Sequence, residues 1–322
     1  MRIWLRIAVS VGLLALLLLL LPWETVRTAI ERLPLSVWLA VLGGFVAGHL
    51  LGVLKWRVVI NASGGGLRFV DATRCYAAGL FANLCLPSIV GGDVLRAALA
   101  ARATGRPEAA ILGGVVDRTI DVATLGILIA GGGFFARNAI PQWGRDALNV
   151  ALVAAAVALL IFVPLIIRRP LASWPSRFRR RIGRGLVTLR SLSRSPVAAL
   201  ISLTLSVIIQ SFFVMLNVLI GRAVGIEVPL PVWFLVWPLA KAAGLLPISL
   251  GGLAVRDATF AALLVPIGVP AAIGVVASLV WQSVLIVGGL LAGVVWWVMA
   301  RYTHSGAKAR PLATAMPDGG YG

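Results

Sequence analysis

Long apolar runs separated by short arginine-bearing segments exclude most folds for this chain. Hydrophobic residues make up 60% of its 322 residues and charged residues only 12%. A helix needs about 20 consecutive apolar residues to cross the hydrocarbon core of a bilayer, and a soluble core of this size needs no such apolarity. We therefore predict an all-α polytopic membrane protein. About six full spans are expected, at residues 5–21, 36–56, 107–135, 147–167, 197–220 and 271–299.

The segment 168–195 predicts the orientation of these spans. It carries nine arginines and no acidic residue, which is typical of a cytoplasmic loop that lies against anionic lipid. With six spans, both termini are then cytoplasmic. The run 5–21 follows Arg2 and Arg6, but no small-x-small cleavage site comes after it. We therefore interpret it as an uncleaved first span of a protein in the cytoplasmic membrane.

The remaining composition argues against several classes of site and partner. The net charge of +18 lies in short segments between apolar spans, so nucleic acid is not expected as a partner. Cys75 and Cys85 are the only cysteines, and His49 and His304 the only histidines. Neither a disulfide framework nor a metal site is predicted from so few ligands. No nucleotide-binding loop is present either, and we expect no cofactor.

A ten-residue pattern, Pro-x-x-x-Gly-Gly-x-x-x-Arg, occurs at 87–96 and again at 247–256. Proline removes a backbone donor and paired glycines allow backbone angles that other residues resist, so each copy predicts a broken helix. The free N–H groups at the start of the next helix, with an arginine one turn later, suit a phosphate or carboxylate. The predicted substrate-binding residues are Pro87, Ser88, Gly91, Gly92, Asp93, Arg96, Lys241, Pro247, Ser249, Gly251, Gly252, Arg256 and Asp257.

The apolar segments before and after each copy are too short for each to cross the bilayer fully. We therefore interpret 76–103 as a re-entrant helical hairpin that enters from the cytoplasm, and 231–269 as a second one that enters from outside. Interrupted helices of opposite orientation in two halves are typical of carriers built from an inverted repeat. Eight spans, with each hairpin crossing fully, is the alternative. Ordinary loops between spans would also contain proline and glycine.

Other charged residues in apolar surroundings extend this hypothesis. Asp117, Arg118 and Asp121 precede the apolar run 122–135, and the two aspartates lie one helical turn apart. They are predicted to carry a coupling proton or to pair with Arg96 or Arg74. The sequence Lys55-Trp56-Arg57 predicts an interfacial anchor at the cytoplasmic end of the second span. His49 is expected to pack or to form a hydrogen bond within that span.

On these residues the chain resembles the family named for the transmembrane region of lysylphosphatidylglycerol synthases, also called flippase-like. The resemblance covers the chain from the first span to about residue 300 and rests on three groups of residues. The first group is Asn83–Ser88 with Gly91, Gly92, Asp93 and Arg96, and the second is Asp117, Arg118 and Asp121. The third group is Leu246–Ser249 with Gly251, Gly252, Arg256 and Asp257. Many relatives have Glu where this chain has Asp257, a change that keeps the charge.

The resemblance implies movement of a lipid with a polar head group across the bilayer. The soluble aminoacyl-transfer domain of bifunctional relatives is not expected here, so aminoacylation of a lipid is not inferred. We expect a flippase-like domain over 1–300, with a first repeat at 1–167, a basic cytoplasmic linker at 168–195, a second repeat at 196–300 and a disordered tail at 301–322. The lipid implied is an anionic phospholipid, an isoprenoid phosphate or a glycolipid.

Two other functions remain open at this point. The chain is not expected to be an enzyme, but a membrane-embedded lipid-modifying transferase using Asp93 or Asp117 as a base is the first alternative. No clustered catalytic set supports it. The second alternative is an accessory subunit that anchors a lipid or glycolipid biosynthetic enzyme through its basic linker.

Overall fold

The described part of the chain is helical throughout. In the computed structural model it comprises residues 31–85, 89–146, 195–245 and 253–307, together with residues 24, 27, 28 and 150. No strand occurs among these residues. The principal helices are α1 (Leu35–Ala62), α2 (Phe69–Cys85), α3 (Ile89–Thr104), α4 (Pro107–Ala136), α5 (Pro196–Ala223), α6 (Leu230–Gly244), α7 (Leu253–Leu264), which continues into a 3₁₀ turn (Val265–Ile267), and α8 (Ala271–Ala307).

Four of these helices are long and apolar enough to cross a membrane, namely α1, α4, α5 and α8. They coincide with four of the six predicted spans, and the prediction of an all-α polytopic membrane protein is confirmed. The predicted start of α4 at Pro107 is also confirmed, since proline is well suited to the first turn of a helix. The spans predicted at 5–21 and 147–167 and the basic linker lie outside the described residues. The total of six and the orientation of the termini therefore stay predictions.

Both copies of the repeated pattern lie where a helix is interrupted. The first copy begins between α2 and α3 and continues into α3, which contains Gly91, Gly92 and Arg96. The second copy begins between α6 and α7 and continues into α7, which contains Arg256. In each case an apolar helix of 15 to 17 residues ends just before the proline, and a new helix begins before the arginine. At 1.5 Å per residue, α2 and α6, the first arm of each hairpin, are about 22–26 Å long, which is shorter than the ~30 Å hydrocarbon core of a bilayer. The broken helix is thus observed, whereas re-entry without full crossing stays a prediction.

The two hairpins begin at opposite ends of the bundle. Helices α1 and α5 are antiparallel, because Gly44 lies against Leu216 whereas Gly48, further along α1, lies against Phe213. Helix α2 starts a few residues after α1 ends, and α6 starts a few residues after α5 ends. Since the ends of α1 and α5 lie at opposite faces, the hairpins α2–α3 and α6–α7 enter from opposite faces. An inverted repeat requires this arrangement.

Glycine allows the two arms of the first hairpin to touch. A Cβ atom at Gly79 would lie 2.9 Å from the carbonyl oxygen of Gly92, and one at Gly92 would meet both Asn83 and Gly79. Any larger side chain at either position must therefore push α2 and α3 apart. Gly92, predicted from the motif as a substrate-binding residue, is buried in this contact and is not among the described lining of the central cavity.

Aromatic side chains join the second hairpin to the long helices. Phe45 of α1, Phe213 of α5 and Trp281 of α8 have ring centroids about 6 Å apart. Trp237 of α6 packs against Trp281 at 5.3 Å and against Phe260 of α7 at 5.8 Å. Aromatic pairs at these separations contribute to stability beyond the area that they bury. This cluster forms one side of the bundle and leaves a polar space beside it.

Charged residues stand at the start of the first hairpin. Arg68 directly precedes α2, and Asp71 and Arg74 lie in its first two turns. Arg68 binds Asp71 at 2.8 Å across one turn, so a charged first turn leads directly into an apolar helix. The tail was expected to be disordered from residue 301, but α8 continues to Ala307. Residues 308–322 lie outside the described part.

Candidate functional site

Charged side chains from several helices converge on one cavity of about 160 Å³ in the middle of the bundle. Six predicted site residues line it, namely Asp93, Arg96, Asp117, Arg118, Asp121 and Lys241. They come from the first hairpin, from α4 and from the first arm of the second hairpin. The other lining residues are His49, Gly52, Lys55, Tyr76, Gly79, Leu80, Asn83, Ile209, Gln210 and Phe213. Both copies of the repeat thus contribute an arm to the same polar space.

Most of the charges in the cavity form one buried network. Lys55 of α1 binds Asp117 at 3.0 Å and Asp121 at 2.5 Å. Asp117 also accepts a hydrogen bond of 3.0 Å from Arg96, which lies 3.3 Å from Asp93. Charges in a low-dielectric interior are tolerated only when they are paired in this way. The one-turn spacing of Asp117 and Asp121, predicted to place them on one face, lets a single lysine bind both.

Arg96 makes close contacts with both aromatic and acidic side chains. Its guanidinium lies 4.8 Å from the ring centroid of Trp56 and 5.0 Å from that of Tyr76, and only 8% of the residue is exposed. Two aromatic faces and two carboxylates therefore use most of its binding capacity. Arg96 was predicted to hold a head group directly. The geometry favours a role in fixing Asp93 and Asp117, and a direct contact stays a prediction.

Lys241 differs from the other basic residues of the cavity. Its Nζ donates a hydrogen bond of 2.9 Å to Oε1 of Gln210, whose Nε2 in turn donates to the backbone carbonyl of Asp121 at 3.0 Å. Ser206 donates to Oδ1 of Asp121 at 2.7 Å. Within the described residues, no carboxylate lies within ion-pair distance of Lys241. Its hydrogen-bond partner among the described residues is therefore a neutral amide and not a carboxylate.

His49 and Tyr76 form the wall of the cavity between α1 and α2. Nδ1 of His49 and the hydroxyl of Tyr76 are 3.2 Å apart, so the hydrogen bond of His49 joins its span to α2. The same two residues also line a smaller apolar cavity between α1, α2 and α8. The pair thus separates polar from apolar space.

A second and larger space opens beside the cavity. It is a groove of about 760 Å³ between α3 and α4, and it is apolar over most of its length. Asp93 and Arg118 line both this groove and the polar cavity. They form an ion pair, and 39% of the Arg118 side chain is exposed. The groove is lined in addition by Val94, Ala97, Ala98, Ala101, Ile111, Gly114, Val115, Thr119, Val122 and Leu245.

The arginine of the second copy lies apart from this cavity. Arg256 binds Asp257 at 2.8 Å and Gln282 at 2.9 Å, and it lies 5.8 Å from the ring centroid of Trp237. In each copy an aspartate thus binds the arginine, Asp93 with Arg96 and Asp257 with Arg256. Neither Arg256 nor Asp257 is among the described lining residues. Pro87, Ser88, Pro247, Ser249, Gly251 and Gly252 lie outside the described residues, and their assignment stays a prediction.

Lys55 is the main residue that sequence reasoning misplaced. Lys55 and Trp56 were predicted as an interfacial anchor, but they are 4% and 0% exposed. Helix α1 continues to Ala62, and Arg57 instead donates to the backbone carbonyl of Leu67 at 3.0 Å near its end. The apolar residues Val58, Val59 and Ile60 signalled that the span extends beyond Lys55. Tyr76, Asn83 and Gln210 were also missed as lining residues, because single polar residues in apolar helices carry no distinctive spacing.

No group of three or more His, Cys, Asp or Glu suited to a metal ion occurs within the part of the chain that the structure describes. Chemically, the cavity offers cations, carboxylates and amides in an apolar surrounding. Such a site can replace the water around a polar group. The adjoining groove can replace the lipid around a hydrocarbon chain.

Comparison with known proteins agrees with this description. The model of the family described as lysylphosphatidylglycerol synthase TM region matches residues 3–293. No curated protein and no solved structure gives a significant match. The family match covers both hairpins and every described residue that lines the cavity.

Proposed function

Because the chain belongs to the lysylphosphatidylglycerol synthase TM region family, we propose that it is a carrier that moves a lipid with a polar head group across the cytoplasmic membrane. The family itself indicates a membrane protein related to the handling of lipids. Movement across the bilayer, and the polar head group as the part that is recognised, are the proposal. The chain is proposed to act without a cofactor and without chemical change of the lipid.

The observation that carries this proposal is the shared wall of the polar cavity and the apolar groove. A membrane lipid has a polar head joined directly to hydrocarbon. Asp93 and Arg118 lie where the two spaces meet, so a lipid at this point can place its head group among charges and its chain along α3 and α4. A water-soluble solute would need no such groove. A purely structural ion network would need no adjoining cavity.

The position of the cavity supports transport rather than surface binding. His49 and Lys55 of α1, Asp117 and Asp121 of α4, and Gln210 of α5 all lie well inside long apolar helices. A head group that moves to this depth must exchange its hydration for protein contacts, since charge in hydrocarbon is costly. The buried network supplies those contacts at the place where the cost is highest.

The two hairpins supply parts that can open the cavity to either side. They enter from opposite ends of the bundle, and each contributes an arm to the cavity, with Asp93 and Arg96 on one and Lys241 on the other. In carriers with an inverted repeat, corresponding broken helices surround a central site and the halves move around it. We propose the same arrangement here, with Asp121 as the link because it contacts Lys55, Ser206 and Gln210.

The proposal is tested by reconstituting the protein in vesicles with fluorescent short-chain lipids and measuring how fast they become accessible to a membrane-impermeant quencher. We expect transport by the wild type and at least about tenfold slower transport by Arg118→Gln, which removes the charge at the shared wall. Arg222→Gln, an exposed change at the end of α5, is the matched control. Equal rates in protein-containing and empty vesicles, for every lipid tested, would overturn the proposal.

The same vesicles separate the two alternative functions. Mass spectrometry of the recovered lipids detects conversion by a transferase, and Asp93→Asn would then abolish turnover while lipid still binds. An accessory subunit would be unaffected by Arg118→Gln but impaired by removal of the arginines between 177 and 184. Unchanged lipid together with Arg118-dependent transport supports the carrier alone.

A further inference from the structure

The described lining of the central cavity carries one more positive than negative side chain. Four basic residues line it, Lys55, Arg96, Arg118 and Lys241, against three acidic residues, Asp93, Asp117 and Asp121. His49 is counted as neutral. An excess charge inside an apolar bundle is costly unless an opposite charge approaches it. A cavity with this lining therefore favours an anion over a cation.

The ion pairs show which basic residue carries the excess. Each of the three aspartates is within ion-pair distance of Lys55, Arg96 or Arg118, and each of those three has at least one aspartate. Lys241 has the amide of Gln210 in place of a carboxylate. An ammonium group has three donors, so Lys241 keeps donors for a ligand.

Gln210 directs the Lys241 ammonium toward the cavity. Its side-chain nitrogen is engaged by the carbonyl of Asp121, which leaves its oxygen to accept from Lys241. The lysine is thereby tied to α4 and α5 without being neutralised. A glutamate at position 210 would have neutralised it. The chain instead places an uncharged acceptor beside Lys241, whereas the other three basic residues of the described cavity lining have acidic partners.

We propose that this carrier selects lipids whose head group has a net negative charge, and that Lys241 with Gln210 forms the subsite that recognises that charge. The inference rests on the proposed carrier function and names its substrate class. A phosphodiester or phosphomonoester oxygen binds Lys241 and the partly exposed Arg118 by charge-assisted hydrogen bonds. Lipids with more ammonium groups than phosphates, such as lysylphosphatidylglycerol, are disfavoured because they add positive charge to a positive cavity.

The experiment compares three lipids with identical chains in the reconstituted transport assay: phosphatidylglycerol, phosphatidylethanolamine and lysylphosphatidylglycerol. The wild type is expected to move the anionic lipid at least about tenfold faster than the zwitterionic one, and the cationic lipid most slowly. Lys241→Gln is expected to reduce that preference about tenfold, and Lys241→Arg to retain most of it. As a control, Arg102→Gln removes an exposed charge from the last turn of α3, outside the described cavity lining, and should leave the preference unchanged.

A binding measurement keeps the inference testable if transport is slow. In detergent, added phosphatidylglycerol should raise the melting temperature of the wild type more than phosphatidylethanolamine does, and Lys241→Gln should lose that difference. Equal preference in wild type and Lys241→Gln, or faster movement of the cationic lipid, would overturn this inference while the carrier function stands. Failure of every lipid to move overturns the carrier function, and the melting shift then decides whether the anion subsite exists.

Discussion

Asp93 of α3 and Arg118 of α4 form an ion pair that is part of the wall of both the polar cavity and the apolar groove. Arg96, which lies one turn after Asp93, binds the same aspartate at 3.3 Å. Asp93 therefore has one buried partner and one partly exposed partner. A lipid phosphate that binds Arg118 can replace Asp93 there without leaving Asp93 unpaired.

This relationship predicts that substitutions of the pair are not additive. Arg118→Gln and Asp93→Asn each remove the same contact, so the double variant should lose little more transport than Arg118→Gln alone. Residues in direct contact commonly show coupling of about 0.5–3 kcal/mol in such a cycle. The reconstituted transport assay, applied to all four members of the cycle, measures the coupling. Fully additive losses would mean that the two residues act separately.

The buried network predicts a large loss of stability for Asp117→Asn. Lys55 and Arg96 would then remain buried with less compensating charge, and breaking a buried pair in this way typically costs about 3–5 kcal/mol. Thermal unfolding in detergent should show a clearly lower melting temperature. Arg27→Gln breaks an exposed ion pair with Glu31 and should change the melting temperature little. Similar melting temperatures for the two variants would contradict the network's structural role.

The contact between the arms of the first hairpin predicts that Gly92→Ala is destabilising. The new methyl group would meet Asn83 and the backbone of Gly79, so α2 and α3 must separate, at a typical cost of about 1–3 kcal/mol. Gly126→Ala is the matched control, since nothing lies within 4 Å of a Cβ at that lipid-facing position of α4. It should be neutral or slightly stabilising because alanine favours a helix. Melting curves of the two variants check both expectations.

The apolar groove predicts that a bulky side chain in it slows transport without damaging the cavity. Ala97→Phe places a ring in the space between α3 and α4, where a lipid chain is expected to lie. Ala123→Phe adds the same ring to an exposed position of α4 and serves as the control. Slower movement of lipid by Ala97→Phe alone would support the groove as the path of the lipid's hydrocarbon chain. Equal transport rates for the two variants would mean that the hydrocarbon chain follows another path.

The orientation of the bundle is tested by labelling with an impermeant thiol reagent. In a background without Cys75 and Cys85, Glu108→Cys at the start of α4 and Glu227→Cys before α6 place exposed thiols at opposite ends. The arginine-rich linker predicts that position 108 is cytoplasmic and position 227 external. Labelling of Glu227→Cys but not of Glu108→Cys in intact cells is the expected result. The reverse pattern would overturn the predicted orientation.

Much of the fold and part of the site follow from residue types and spacing. Apolar length alone predicts α1, α4, α5 and α8, because the bilayer imposes a minimum number of residues on each span. The repeated proline and glycine pattern predicts both helix breaks, since backbone chemistry acts locally. Asp93, Arg96, Asp117, Arg118, Asp121 and Lys241 were predicted as site residues because charge in an apolar segment is costly unless it has a function or a partner.

The sequence does not show which partner each charged residue binds, because that depends on how helices distant in sequence pack together. Lys55 was assigned to an interface from its neighbours in sequence, yet it lies between Asp117 and Asp121, more than 60 residues away. Arg96 and Arg256 have the same place in the repeated pattern, but only Arg96 is among the described lining residues. Local chemistry thus predicts which residues are charged and where helices break, whereas tertiary packing decides which charges meet, which one remains unmatched and which groove adjoins them.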